Sequence, residues 1–264
     1  MNARLPAPVT SLHLMRRWVV DYFNRQDAAA CADFIEPDYA LHIGDVVFAG
    51  RDEQWLPAVD QQMQRFPGLG MTVHQTLCGP DWAAAWFSEH GASQGRAAVW
   101  SGVAIYRNNG ERLTGCVAQE DYFTRQRQLK SGVVDPVEAP AVDPWGTPEL
   151  PRNEPAETVA RAWLQQSWPV PNPAVRCDDD YITGTPLQFQ VKDCEIGTLL
   201  SSGDHVVFHV RQTGDYLGGL TGVRGVHTNT HVHCNGLLRV VNGQVLSGRL
   251  IRDRMGLRAR LQGN

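Results

Sequence analysis

The chain has 264 residues, 42% hydrophobic and 20% charged, and a formal net charge of −4 from 28 acidic and 24 basic side chains. This balance is that of a globular protein and excludes the polar, highly charged profile of disorder. It also leaves no basic footprint for nucleic acid or an anionic membrane. No apolar run approaches the roughly 18 residues of a membrane helix, and the N-terminus lacks the apolar core of a secretory signal, so a cytoplasmic location is expected. The six cysteines form no C-x-x-C pair and read as reduced, mostly buried thiols.

Ser11 is a candidate N-cap for a first helix through L-H-L-M-R-R-W-V-V-D-Y-F, where Leu14, Trp18 and Tyr22 recur at the helical interval. Asp27 precedes a second short helix, A-A-A-C-A-D-F-I, ended by E-P-D. The segments Y-A-L-H-I-G and V-V-F-A-G then predict a hairpin around Gly44-Asp45. A third helix covers R-D-E-Q-W-L-P-A-V-D-Q-Q-M-Q-R-F, with Pro57 in its first turns, where proline is tolerated. From Met71 the period changes to two, predicting four strands: M-T-V-H-Q-T-L-C, W-A-A-A-W-F-S-E-H, R-A-A-V-W-S-G-V-A-I-Y-R and R-L-T-G-C-V-A-Q-E-D-Y-F.

Residues 131–155 carry prolines at 136, 140, 144, 148, 151 and 155, which predicts a stiff extended linker. Beyond it the order of elements returns in shorter form. A helix is predicted in E-T-V-A-R-A-W-L-Q-Q-S-W, then D-Y-I-T-G-T, then strands in L-Q-F-Q-V-K-D-C-E-I-G-T-L-L, H-V-V-F-H-V-R-Q-T-G, T-H-V-H-C-N-G-L-L-R-V and Q-V-L-S-G-R-L-I-R-D. The letters themselves repeat. N-G-E-R-L-T-G from Asn109 and N-G-Q-V-L-S-G from Asn242 lie 133 residues apart (242 less 109), about half the chain. At that offset Ile105 falls on Leu238, Gly110 on Gly243, Leu113 on Leu246, Gly115 on Gly248 and Glu120 on Asp253. The second copy has no counterpart of the third helix and is expected to be the less closed of the two.

The first helix, D-Y-A-L-H, the G-R-D-E-Q-W helix closing in R-F-P, the G-x-D-W strand and S-G-V-A-I-Y-R-N-N-G-E-R-L-T-G together resemble the SnoaL-like polyketide and ester cyclases. That family lies within the superfamily similar to nuclear transport factor 2 and ketosteroid isomerase. The resemblance covers roughly residues 10–128 well and 155–260 more loosely. It implies an α+β fold of two tandem cone-shaped barrels, each a curved antiparallel sheet covered by N-terminal helices. The expected domains are 1–130 and 156–264, the second abbreviated, joined by the 131–155 linker. Single-domain members of the family look like homodimers, so two cones in one chain would form a pseudo-dimer, with a homodimer of whole chains as a further expectation.

The resemblance also implies an acid at the end of the last strand as general acid/base. The family register favours Asp121, whereas the internal repeat pairs Glu120 with Asp253. Adjacent strand residues point to opposite faces, so only one of the two acids can face a pocket. In an apolar cone such a carboxyl would titrate upward, toward useful proton transfer near neutral pH. His42 and His90 fall where the family places polar pocket groups, and Tyr22, Trp86 and Trp100 would wall a ligand. In the second half, His227, His231 and His233 share strand parity, as do His205 and His209. Asp253, His209, His231 and His233 are therefore candidate site residues there, read as a polar layer, with Asp253 also open to ion pairing by Arg249, Arg252 and Arg254. No metal site and no cofactor are assigned.

There is no G-x-S-x-G elbow, P-loop or dinucleotide fingerprint. The expected activity is that of a cofactor-independent cyclase or isomerase acting on a small hydrophobic carbonyl compound. The alternative is a non-catalytic module that binds a hydrophobic ligand, and in either case no nucleic acid or membrane partner is expected.

Overall fold

The structure, a computed structural model, describes residues 10–166, 174–180, 182 and 186–263. Ser167 and Trp168 of the expected second-half helix lie outside the described residues, as do Tyr181 and Thr183 to Thr185 of D-Y-I-T-G-T.

The opening helix α1, Ser11–Arg16, is capped by Thr10, whose hydroxyl accepts from the His13 amide at 3.1 Å. Ser11 is instead buried and donates to the Gly79 carbonyl at 2.8 Å, which pins the helix to the sheet. The chain continues through a wider π-type helix, Arg17–Asn24, that buries Trp18, Val19, Tyr22 and Phe23. After the short helix α2, Cys31–Phe34, come strands β1, Ile35–Ile43, and β2, Val46–Ala49. Helix α3, Leu56–Arg65, then precedes strands β3, Gly70–Gly79; β4, Trp82–Ser93; β5, Arg96–Asn108; and β6, Leu113–Glu120.

The first sheet runs β2-β1-β6-β5-β4-β3. Its four long strands form the expected antiparallel meander, but β1 lies parallel to β6, so the sheet is mixed rather than wholly antiparallel. Strand alternation sorts its side chains. Ala83, Ala85, Phe87, Trp100, Ala104, Cys116 and Ala118 face the helices, while Leu77, Trp82, Ala84, Val103 and Ile105 face the opposite way.

Helix α4, Tyr122–Ser131, lies where the sequence reading extended the last strand through Phe123. Asp121 caps it by accepting from the Thr124 amide at 3.1 Å, and Gly132 ends it at φ +75°, the left-handed conformation of a helix C-terminus. The proline-rich segment runs along β3 and is tied to it: the Ala141 amide donates to the Val73 carbonyl at 2.9 Å, and Thr76 Oγ1 to that of Pro144 at 2.6 Å.

The second half comprises helix α5, Glu154–Gln166; strands β7, Val175–Cys177; β8, Gln188–Ser202; β9, His205–Gly218; β10, His227–Val241; β11, Gln244–Arg252; and helix α6, Arg254–Leu261. Its sheet order is β7-β11-β10-β9-β8, with β7 parallel to β11 as β1 is to β6. Neither β7 nor α6 was foreseen. The backbone correspondence fits a tandem duplication, but its register is one residue off the lettered repeat. Asp253 caps α6 through the Gly256 amide at 2.7 Å, just as Asp121 caps α4, and these lie 132 residues apart (253 less 121). The same offset relates Asp121 N→Ser101 O to Asp253 N→His233 O, both 2.8 Å. Asp121 therefore corresponds to Asp253, and Glu120 to Arg252.

The two sheets pack face to face through Leu77, Trp82, Ala84, Val103 and Ile105 against Val207, Leu237 and Ile251. Buried Asn235 spans the contact, donating to the Val103 carbonyl at 3.0 Å and the Val117 carbonyl at 2.9 Å, while its Oδ1 pairs with His209 Nδ1 at 2.7 Å. At one side of the contact, three buried arginines meet a run of aspartates. Arg252 pairs with Asp178 at 2.6 Å, Arg249 with Asp179, and Arg254 with Asp180 and Asp121. The arginines flanking Asp253 are thus engaged elsewhere, and Asp253 itself lies 4.0 Å from Arg260.

Burial pushes the Asp180 carboxyl up to about 7, and the charge of Asp178 adds to this against the pull of Arg254 and Arg252. The folded chain thus holds a proton there that the unfolded chain releases near 3.8. The stability this contributes is complete below the unfolded value and is lost as pH rises through about 7. Asp180→Asn should flatten this fall, so that urea unfolding at pH 5, 7 and 9 finds the variant losing less stability than the wild type at the alkaline end. Asn235→Ala should lower stability by about 2–3 kcal/mol, because it strands three buried polar partners, and urea unfolding measures this directly.

Candidate functional site

Beneath the helices of the first half lies a cavity of about 900 Å³. Trp18, Phe23 and Trp55 wall it on the helix side, Leu41, Ile43 and Phe48 on the side of the β1–β2 hairpin, and Ala58, Val59 and Gln62 from α3. The apolar wall follows from alternation: Leu41 and Ile43 share one parity of β1 and turn inward.

Two acids project into this apolar space. Glu120, the last residue of β6, has the inward parity of Cys116 and Ala118, and Glu89 on β4 has that of Ala85 and Phe87. Glu89 is only 2% exposed. Their carboxyl groups hydrogen-bond each other. Trp100 Nε1 donates to Glu120 Oε2 at 2.9 Å, and Gln62 Nε2 donates to Glu89 Oε2 at 3.1 Å. Arg125 donates to Gln62 at 3.3 Å and lies 4.0 Å over the Tyr122 ring.

Burial pushes Glu89 well above the usual carboxylate range, and the charge of Glu120 pushes it further, against the pull of Arg125. Burial also raises Glu120, but the Trp100 hydrogen bond, the Arg125 charge and the Tyr122 hydrogen bond oppose it. Both acids are thus pushed toward the protonated form, Glu89 the more strongly. Two buried donors of lining residues, Trp18 Nε1 and Gln119 Nε2, have no partner among the described residues.

Asp121 does not reach the cavity. It is 1% exposed, caps α4, accepts from the Asp179 amide at 3.0 Å and pairs with Arg254. Burial raises its carboxyl above the usual carboxylate range, against the pull of the Arg254 charge. His42 is exposed on the face of β1 opposite Leu41 and Ile43 and so does not line the cavity. His90 meets Thr72 Oγ1 at 3.2 Å and is drawn down by burial. Trp86 lies between the sheets, its ring 5.1 Å from that of His74. Tyr22 is fully buried behind Trp18 and Trp55, with its hydroxyl unpartnered among the described residues. Trp100 supports Glu120 without forming the wall.

Of the second-half candidates only Asp253 lines this cavity, while the histidines reach its edge through Asp45. Asp253 lines its mouth beside Asp45, Met255 and Arg260. His231 and His233 both turn Nε2 to Asp45, and the His209 ring stacks on His233 at 5.4 Å. At the β1–β2 turn, Gly44 has φ +56° and sits so close to Asp253 that an added Cβ would lie 2.6 Å from Oδ2. Sequence reasoning missed Glu89, Gln62, Arg125, Asp45 and Arg260. Of these, Glu89 was recoverable, since it continues the inward alternation Ala83, Ala85, Phe87.

The fold and site define an α+β cone with an acid-lined apolar cavity. Residues 15–115 match the SnoaL-like domain family. No curated protein matches it. Similar solved structures include a proposed SnoaL-like polyketide cyclase from Jannaschia sp. CCS1, at 13% identity and a TM-score of 0.44, covering 50% of this chain and 99% of that one. A proposed polyketide cyclase from Acidithiobacillus ferrooxidans, at 16% identity and a TM-score of 0.42, covers 50% of this chain and 100% of its own. IdmH, a proposed polyketide cyclase from Streptomyces antibioticus, has 20% identity and a TM-score of 0.40, with 44% and 96% coverage. No helix of the described residues is long and apolar enough to cross a membrane.

The placement of the two neighbouring acids separates their roles. Asp121→Asn should lower stability by about 3 kcal/mol, because it leaves Arg254 buried with less than its full charge compensation. Glu120→Gln should leave the denaturation midpoint near that of the wild type. Equal losses in chemical denaturation would contradict this division.

Proposed function

We propose that the N-terminal cavity carries out proton transfer on a small hydrophobic carbonyl compound, as a cofactor-independent cyclase or isomerase. The observation that carries this reading is the pair of buried acids, Glu89 and Glu120, that line one apolar cavity of about 900 Å³. That volume suits a small-molecule ligand.

In this reading Glu120 is the base. It takes a proton alpha to a carbonyl, the C–H electron pair moves into the enolate, and the carbonyl oxygen accepts a hydrogen bond or the proton from Glu89. The enol carbon then either attacks a second carbonyl of the same molecule, closing a ring as the new alkoxide takes the proton from Glu120 and the enol oxygen returns its proton to Glu89, or the conjugated enol takes the Glu120 proton at its remote carbon while its oxygen returns a proton to Glu89, completing an isomerisation. The pair returns to one proton in both cases. Trp100 holds Glu120 in place, and Gln62 holds Glu89. The free donor of Trp18 offers a further anchor for a substrate oxygen. Acid–base catalysis of this kind contributes roughly 10²–10⁴-fold to rate.

Glu120→Gln should therefore lower kcat by about 10²–10⁴-fold on a carbonyl substrate while fluorescence titration finds ligand binding retained. Glu89→Gln should also lower kcat. The wild-type pH profile of kcat/KM should be bell-shaped. Its acid limb rises as the pair ionises, above the ordinary glutamate value of 4.5, and its alkaline limb falls as Glu89 loses its proton. Unchanged turnover in Glu120→Gln would remove the catalytic reading. Tight ligand binding without turnover would favour the non-catalytic hydrophobic-ligand module.

A further inference from the structure

At the mouth of the cavity, three side chains from the two halves meet. Asp45 comes from the β1–β2 turn, while His231 and His233 come from β10, where a spacing of two residues puts both rings on one face. His233 Nε2 lies 2.9 Å from Asp45 Oδ1, and His231 Nε2 lies 3.0 Å from Oδ1 and 3.1 Å from Oδ2. The three donor atoms lie within 4.8 Å of one another. His227, which shares their parity, is not part of the group and bonds instead to the Arg224 carbonyl at 3.0 Å.

We propose that Asp45, His231 and His233 bind a divalent transition metal of the zinc class, which staples the β1–β2 turn to the second sheet across the mouth of the cavity. Zinc bonds of about 2.0–2.2 Å to imidazole nitrogen and carboxylate oxygen at near-tetrahedral angles need donors about 3.3 Å apart. The Asp45–His distances of 2.9 to 3.1 Å reach that with shifts of a few tenths of an ångström. Two imidazoles with one carboxylate are a borderline donor set that suits zinc, cobalt and nickel over calcium or magnesium.

The surroundings also fit. The two histidines converge on Oδ1, while Arg260 pairs with Oδ2, the oxygen a monodentate carboxylate leaves free, and Arg260 donates as well to the His231 carbonyl at 2.7 Å. That is the placement of a group that orients a metal-bound carboxylate. His209, tied by its Nδ1 to Asn235, stacks on His233 and holds that ring against rotation. Three protein donors leave at least one coordination position, and Asp45 and Arg260 both line the cavity mouth. The metal stands apart from the acid pair and takes no step in proton transfer; it fixes the edge through which a ligand passes.

The test titrates Zn²⁺ alone into the full chain stripped with a chelator, read by calorimetry, together with the visible spectrum of Co²⁺ added to the same protein. The expected result is one ion per chain, a rise in the thermal midpoint on loading, and a Co²⁺ spectrum with nitrogen and oxygen ligation. Asp45→Asn and His233→Gln should each weaken Zn²⁺ binding by more than the roughly 10–100-fold typical of losing an outer partner, and Arg260→Gln by an amount within that range. His227→Gln should bind as the wild type does. Asp45 lies in an exposed turn, so its variant tests the site even if His233→Gln folds poorly. An absence of saturable binding, unchanged affinity in Asp45→Asn, or a sulfur-ligated Co²⁺ spectrum would overturn the proposal. Turnover by the chelator-stripped protein is a separate readout, so failure of the metal site leaves the Glu120 reading standing.

Discussion

The rest of the structure depends on burying three guanidinium groups where the two halves meet. Arg249, Arg252 and Arg254 are each no more than 4% exposed at the side chain, in a region where an unpaired charge would cost several kcal/mol. Their partners, Asp178, Asp179 and Asp180, form one run, C-D-D-D, that the chain delivers just after β7, and Asp121 supplies a fourth carboxylate from the other half. Burial, with the charge of Asp178 beside it, outweighs the pull of Arg254 and Arg252 and pushes Asp180 up to about 7. The network stabilises little by attraction alone, since desolvation consumes most of that gain. It ties the halves together, because Asp121 of the first half pairs with Arg254 of the second.

That constraint explains why Asp121 and Glu120, neighbours in the chain, serve such different ends. The last strand of the first sheet has one face on the cavity and one on the second sheet. Glu120 takes the first, among Cys116, Ala118 and Trp100, and the chain then leaves the strand at Asp121, whose side chain caps α4 and meets Arg254. One step along the backbone thus separates a carboxyl poised for proton exchange from one committed to the fold.

Much of this was legible in the residues, and the gaps have physical causes. Periods of two and 3.6 located α3 and eight long strands, and the proline run marked the connection between halves. The helices α4 and α6 were missed because D-Y-F-T and D-R-M-G follow strands without a glycine or proline break. The signal present was an aspartate with a free amide three residues on, as at an N-cap. Matching letters gave an offset of 133, while capping and ladder contacts give 132, because hairpin tips tolerate a shifted glycine but paired strands do not. Glu89 could have been found by parity. Asp45 with His231 could not, because they are 186 residues apart and only the packing of the two sheets brings them together.

The corrected register also shows what became of the second copy. With strands β4 and β9 aligned by their ladders, Trp82 beside Arg107 and His205 beside Arg239, Glu89 corresponds to Gln212, as Glu120 does to Arg252. The acid pair of the first half is thus a neutral amide and a guanidinium in the second, and that guanidinium is bound to Asp178. The inward space there is filled by Ala156, Ala160, Leu164, Phe208 and Val210. Among the described residues its sheet also has no counterpart of β2, the strand whose hairpin frames the first cavity. The second half has exchanged a site for packing, and the polar groups it retains, His231, His233, Asp253 and Arg260, are spent on the rim of its neighbour's cavity. Among the described residues the first half's cavity is thus completed by side chains from both halves.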